Sequence, residues 1–238
     1  MTADVARKRA IVFQHDDDIT LGNLEPVLEE HGYDIHTVDV ATADVSALDP
    51  EDGELVIVLG GEKGAYQVEE YPHLADEMRF IRARVEANKP TFGVCLGAQL
   101  MAGAFGARNY KGDKPDLGYQ DIQLTEAGLA SPLRHIQGVG MLVWHSDHYT
   151  LPEEATLLGT STAYPNEAYS IGDYALAVQF HPEVTDEMHE AWTLGSRELF
   201  ETNNVDADEW RELGRIHNPP MEAASRLMFG EWLATLPR

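Results

Sequence analysis

Over residues 10–107, short apolar runs alternate with segments of helical periodicity, and this alternation constrains the fold more than any other feature of the chain. AIVFQ (10–14), YDIHTVD (33–39), ELVIVLGG (54–61) and TFGV (91–94) read as strands. LGNLEPVLEEHG (21–32) and HLADEMRFIRARVEANKP (73–90) carry apolar residues at helical spacing, and AQLMAGAFGA (98–107) reads as a small-residue helix. Strands joined through helices pair in parallel and bury both faces, so this half predicts a mostly parallel sheet flanked by helices. From about residue 116 the runs become short and are separated by turn residues: DLGYQDIQLT, GVGMLVWHSDHYTLP, ATLLGTST, EAYSIG and YALAVQFHPEV. These are expected to add antiparallel or mixed strands to the same sheet. Beyond His181 the pattern turns helical again, in TDEMHEAWTLGSRELFETN and then MEAASRLMFGEWLATL, whose tryptophans, with Trp210 between the two, should face inward. Without an internal repeat or linker, residues 1–238 are expected to form one α/β domain with a helical extension from about residue 186.

Charge narrows the partners. Seventeen basic against 41 acidic residues give a net charge of −24, which opposes binding to nucleic acid or to an anionic membrane. No apolar run approaches the roughly 20 residues that a membrane span requires. Arg7-Lys8-Arg9 leads into too short an apolar stretch before His15 for a secretory signal. The single cysteine, Cys95, cannot form an internal disulfide, which fits a reducing, cytoplasmic setting. The acidity has two readings, ordinary solubility or a salt-rich habitat. Stability that climbs steeply in molar salt would favour the second.

That cysteine stands in Gly93-Val94-Cys95-Leu96-Gly97, between a strand and a helix, the arrangement of a nucleophile elbow. A sharp strand-to-helix turn crowds the residues two before and two after the nucleophile, so both must lack side chains. The helix N-terminus that follows presents unpaired N–H groups, which favour a thiolate and then an oxyanion. The alternative is a small buried residue at a tight packing point.

A partner base is at hand in Gln179-Phe180-His181-Pro182-Glu183. In an extended segment, side chains at i and i+2 project to the same side about 6.5–7 Å apart, and Pro182 would help hold that geometry. Glu183 could then orient His181 and leave the second ring nitrogen to take the proton of Cys95.

Together G-V-C-L-G-A-Q (93–99), Q-F-H-P-E-V (179–184), the V-L-G-G turn (58–61) and W-H-S-D (144–147) resemble the class I, or triad, glutamine amidotransferases. The resemblance covers roughly residues 10–195 and is strongest to stand-alone proteins similar to the amidotransferase domain of GMP synthase. It implies a flavodoxin-like sheet with nucleophile, base and acid at one edge. It further implies that Cys95 attacks the side-chain amide of glutamine to give a γ-glutamyl thioester and ammonia. His181 would act as acid and base, oriented by Glu183. Gly61 and Leu96 would supply oxyanion N–H groups, and Gly60 would bind the substrate together with Gln99, which lies one helical turn beyond Cys95. His145, Ser146 and Asp147 correspond to a segment that meets the α-amino and α-carboxylate ends of the substrate. No cofactor is implied.

Other features have blander readings. His145 and His148 flank an acid, yet H-x-x-H without a helix or a third placed ligand argues weakly for a metal. Asp16, Asp17 and Asp18 read as a solvated loop or a helix cap. No phosphate loop of the G-x-x-x-x-G-K-[ST] kind occurs, so an ammonia acceptor would have to be a separate synthetase subunit. Alternatively the protein would hydrolyse γ-glutamyl amide bonds alone, or would be an amidotransferase-like subunit silent until a synthetase docks. A cysteine peptidase or redox sensor of similar topology would leave Gln99 and H-P-E without a purpose.

Overall fold

A computed structural model describes residues 7–237. Its centre is an eight-stranded sheet in the order β2-β1-β3-β4-β10-β9-β8-β6. The parallel part comprises β1 (Lys8–Gln14), β2 (Tyr33–Asp39), β3 (Leu55–Val58), β4 (Thr91–Val94) and β10 (Ala175–Val178). The antiparallel part adds β9 (Ala168–Ile171), β8 (Ala155–Thr160) and β6 (Gln123–Leu124).

Period-two alternation sends successive residues of one strand into two different cores. Ala10 and Val12 of β1 join a cluster with Trp192, Trp210, Met228 and Trp232. Ile11 and Phe13 join the opposite cluster with Phe80, Leu100 and Met101. The first face is covered by α1 (Glu25–Glu30), α5 (Asp186–Gly195), α6 (Arg197–Asn203) and α7 (Ala207–Thr235), and the second by α2 (His73–Glu86) and α3 (Leu96–Ala104). All three tryptophans named above are buried, as their spacing predicts. The short α4 (Glu126–Leu129) packs on β8.

Three expectations are corrected. The chain around residues 109–149 does not all extend the main sheet: β5 (Asn109–Asp121) and β7 (Gly140–Tyr149) form a separate antiparallel pair. The helix expected over 21–32 is confined to α1, because its start forms a single tighter turn over Gly22–Leu24 and Gly32 takes a positive φ of 79°. The last helix begins at Ala207 rather than after the Pro219-Pro220 pair. Each proline forfeits one bond to the carbonyl four residues earlier. Those carbonyls belong to Arg215 and Ile216, both on the exposed face, where water can take the place of the missing N–H. Asp206 caps this helix by accepting from the N–H groups of Asp208 and Glu209.

The parallel strands position the site. Since β3, β4 and β10 are successive neighbours pointing the same way, the chain after each of them emerges at one edge. After β3 come Gly60 and Gly61; after β4, Cys95; after β10, Gln179, His181 and Glu183.

Candidate active site

Cys95 sits at the elbow with φ 50° and ψ −104°, a conformation that costs a non-glycine residue on the order of 1–3 kcal/mol. The surrounding glycines explain how it is accommodated. A Cβ on Gly93 would lie 2.8 Å from the Gly97 backbone, and one on Gly97 would lie 2.0 Å from the Val58 carbonyl oxygen. The Cys95 N–H donates to the Val178 carbonyl at 2.9 Å, tying the elbow to β10. Leu96 opens α3, so its N–H has no partner within the helix.

His181 Nδ1 and Glu183 Oε1 are 2.6 Å apart, both side chains being buried. They meet across a turn at Pro182-Glu183, not along an extended segment, and the His181 N–H is anchored on the Leu142 carbonyl. The other ring nitrogen has no regular hydrogen-bond partner and is left for the thiol. Burial works against a charged ring here, but the charges of Glu183 and of a Cys95 thiolate outweigh it and hold His181 well above the ordinary histidine value. A Cβ on Gly60 would lie 3.3 Å from His181 Cε1 and 3.6 Å from Cys95 Cβ, so the turn after β3 adjoins both groups. The Trp192 ring meets the His181 ring edge-on, with centroids 5.0 Å apart.

Two glutamines complete the thiol's surroundings. Gln179 Nε2 donates to Cys95 Sγ at 3.5 Å, and Gln99 Nε2 donates to Gln179 Oε1 at 3.5 Å. Gln99 borders the cavity, and its side chain is buried against Gln179 instead of standing free over the thiol. Nothing local in the sequence announces the Gln179 contact, because the chain leaves the strand at Val178, bends at Gln179-Phe180 and turns at Pro182-Glu183.

A cavity of about 430 Å³ opens over Cys95 and His181. Its walls include Gly61, Lys63, Gln99, Trp144, Asp147 and Trp192, and His145 and Ser146 also border it. His145 is pushed down to about 3 by burial and by its neighbours His148 and His181, so it is neutral at any ordinary pH. Burial raises the Asp147 carboxyl, against the opposing charge of Lys111. Lys63 is raised by its 2.7 Å bond to Asp16.

Beside this cavity, Asp116, His145 and Glu167 each bring one atom suited to a metal within 4.8 Å of the others, and they are the residues best placed to hold a cation. Each carboxylate has one anchored oxygen, on Gln120 for Asp116 and on Ser161 for Glu167, and its other oxygen has no partner. Burial pushes Glu167 up to about 7, with the Asp116 charge adding to the shift, so Glu167 is largely protonated below neutrality.

The family model for class-I glutamine amidotransferases matches residues 18–195. A protein of Salmonella typhimurium described as glutamine amidotransferase-like is 31% identical over 67% of this chain and 69% of its own length. The glutamine-hydrolysing GMP synthase of Ectopseudomonas mendocina is 30% identical over 64% of this chain but only 29% of its own length, so this chain spans less than a third of that relative. The crystal structure of a glutamine amidotransferase from Thermotoga maritima superposes with a TM-score of 0.86 at 25% identity, covering 95% of this chain and 98% of that one. With the family match extending from the acidic segment before α1 to the end of α5, the chain belongs to the class-I glutamine amidotransferase family.

Proposed function

We propose that the protein hydrolyses the side-chain amide of glutamine, or a related γ-glutamyl amide bond, through Cys95, His181 and Glu183. The observation that supports this most is the convergence of a strained cysteine and a buried histidine–carboxylate pair on one cavity, at the ends of adjacent parallel strands. The Cys95 thiolate attacks the amide carbon, and negative charge moves to the carbonyl oxygen. The N–H groups of Gly61 and Leu96 receive that charge, a contribution typically worth about 10²–10³ in rate per donor. The His181 imidazolium protonates the departing nitrogen, which leaves as ammonia. Water then attacks the γ-glutamyl thioester with neutral His181 as base, giving glutamate and restoring the thiol. Glu183 orients the ring throughout, and Gln179 steadies the sulfur.

Substrate recognition follows from charge. Asp147 suits the α-amino group and Lys63 the α-carboxylate, while neutral His145 and Ser146 offer hydrogen bonds without charge. The ammonia has two fates. The GMP synthase of Ectopseudomonas mendocina aligns over 29% of its own length, which supports a synthetase as the acceptor of the ammonia. The cavity also opens towards Ser196, Glu198 and Leu199, leaving room for a substituent on the γ-nitrogen, which supports stand-alone γ-glutamyl hydrolysis. Incubating the purified protein with glutamine and with γ-glutamyl dipeptides, and measuring ammonia, glutamate and released amine, separates the two. If neither is cleaved while Cys95 is reduced and alkylatable, independent hydrolysis is wrong.

A further inference from the structure

The segment His15-Asp16-Asp17-Asp18, expected to be a solvated loop or cap, is only partly so. Asp17 and Asp18 are exposed, but His15 is buried and Asp16 is half-buried. His15 Nδ1 lies 3.1 Å from the Gly60 carbonyl oxygen and its Nε2 lies 3.0 Å from Glu77 Oε2. Glu77 comes from α2, 62 residues away, and is fully buried with its second oxygen unpartnered. Asp16 Oδ2 accepts from the Glu62 N–H at 2.9 Å, and its Oδ1 holds Lys63 at 2.7 Å. The same segment continues to Asp18, whose carbonyl accepts from Trp192 Nε1 at 3.1 Å.

We propose that His15 and Glu77 are positioning residues that fix the orientation of the Gly60–Gly61 peptide. This rests on the reading of the Gly61 N–H as an oxyanion donor. The peptide unit is planar and trans, so its C=O and N–H point in opposite directions, and gripping the Gly60 oxygen fixes where the Gly61 hydrogen points. Two consecutive glycines impose little conformational preference of their own, so the peptide needs an external hold. Bulk is also excluded here, since a Cβ on Gly61 would lie 2.9 Å from His15 Cβ and 2.8 Å from Leu96 Cδ2.

The proton inventory gives Glu77 its purpose. A carbonyl only accepts, so the Nδ1 atom must carry hydrogen. With hydrogen on Nδ1, Nε2 either accepts from a protonated Glu77 or, in an imidazolium, donates to an ionised one, so acid and ring share one proton between them in both pairings. Without an acid at 77, the opposite tautomer would turn a lone pair towards the carbonyl and release the peptide. A buried acid with one oxygen unpartnered and a single histidine on the other is costly to the fold, and a positioning role explains its presence.

The test uses His15→Leu and the conservative Glu77→Gln, each compared with the native protein by crystal structure, by glutamine kinetics and by the rate at which iodoacetamide alkylates Cys95. Alkylation needs the thiolate but no oxyanion hole. His15→Leu is expected to turn the Gly60–Gly61 peptide away. Its kcat should fall roughly 10–100-fold, KM should stay within about threefold, and alkylation should change less than about twofold. Glu77→Gln still permits the useful tautomer and should lose roughly 3–10-fold in kcat. The proposal is overturned if the peptide keeps its orientation in both variants, or if kcat and alkylation fall in parallel, which would mark the pair as support for the core or for the thiol. Should the native protein hydrolyse no γ-glutamyl compound, the proposed function fails, and the peptide orientation in the crystals still decides this inference.

Discussion

At the scale of single residues, the site is a set of charges whose protonation is held away from solution values by neighbours. His181 stays protonated to higher pH than a free imidazole, because Glu183 and the thiolate outweigh the burial that opposes its charge. Its folded value lies above its unfolded value of about 6.5, so its contribution to stability is complete below that pH and is lost as pH rises through the raised value. The His181 imidazolium should therefore persist through neutrality, and turnover should fall on the alkaline side as the proton for the leaving nitrogen is lost. Glu183→Gln should move that alkaline limb to lower pH in a pH–rate profile, and an unmoved limb would dissociate His181 from the titration. Glu167 gives an opposite use of the same rule. Raised to about 7 by burial, it binds a proton more tightly when folded, so it costs stability progressively between about pH 4.5 and 7. Glu167→Gln keeps an acceptor for Ser161 and should raise stability at pH 8 by up to about 3 kcal/mol while changing little at pH 4.5. Thermal or denaturant unfolding at the two pH values checks this. Cys95, His181 and Glu183 were legible in the sequence because an elbow between glycines and an i, i+2 pair are local patterns. The His15–Glu77 contact was not, since 62 residues separate its members and nothing in either neighbourhood announces the other.

Secondary-structure elements bring these residues together through close backbone approach more than through side-chain packing. The step from β4 to α3 works because Gly93 and Gly97 let the turn touch itself and the carbonyl of Val58. Gly97→Ala would force a Cβ to 2.0 Å from backbone that cannot yield, and a loss of at least about 2 kcal/mol, or failure to fold, is expected. Gly195→Ala, at the end of α5 where a Cβ meets nothing, should instead be neutral or stabilising by up to about 1 kcal/mol. Unfolding curves of the two variants measure the contrast, and equal effects would refute the role given to the elbow. Strands β1, β3 and β4 were readable because each is built on a short apolar run bounded by glycine or polar residues. Readability failed where tertiary context decides. Whether β5 and β7 join the main sheet or pair with each other depends on partners and not on local pattern. Prolines 219 and 220 looked like a helix start because the solvent exposure of the preceding carbonyls is invisible in sequence.

At the scale of the whole molecule, the parallel part of one mixed sheet with a core on each face delivers three chain segments to one edge, and α5 to α7 close the side of the base. The net charge of −24 leaves few basic groups, and Lys63, held by Asp16 at the cavity wall, is one of them. Among the described residues no helix is long and apolar enough to cross a membrane. The family was legible because its motifs are dictated by sterics and chemistry at the edge of the sheet. The compound that the proposed hydrolysis would act on was not, because the arrangement of Asp147, Lys63 and the cavity mouth arises only on folding. The central claim is that Cys95 carries the γ-glutamyl group between two half-reactions, and it is tested most directly by acid-quenching the protein during turnover and mapping adducts by peptide mass spectrometry. The expected result is a γ-glutamyl thioester on Cys95 that disappears when substrate is exhausted and never forms in Cys95→Ala. Glutamate and ammonia released without that adduct, or at an undiminished rate by Cys95→Ala, would contradict it.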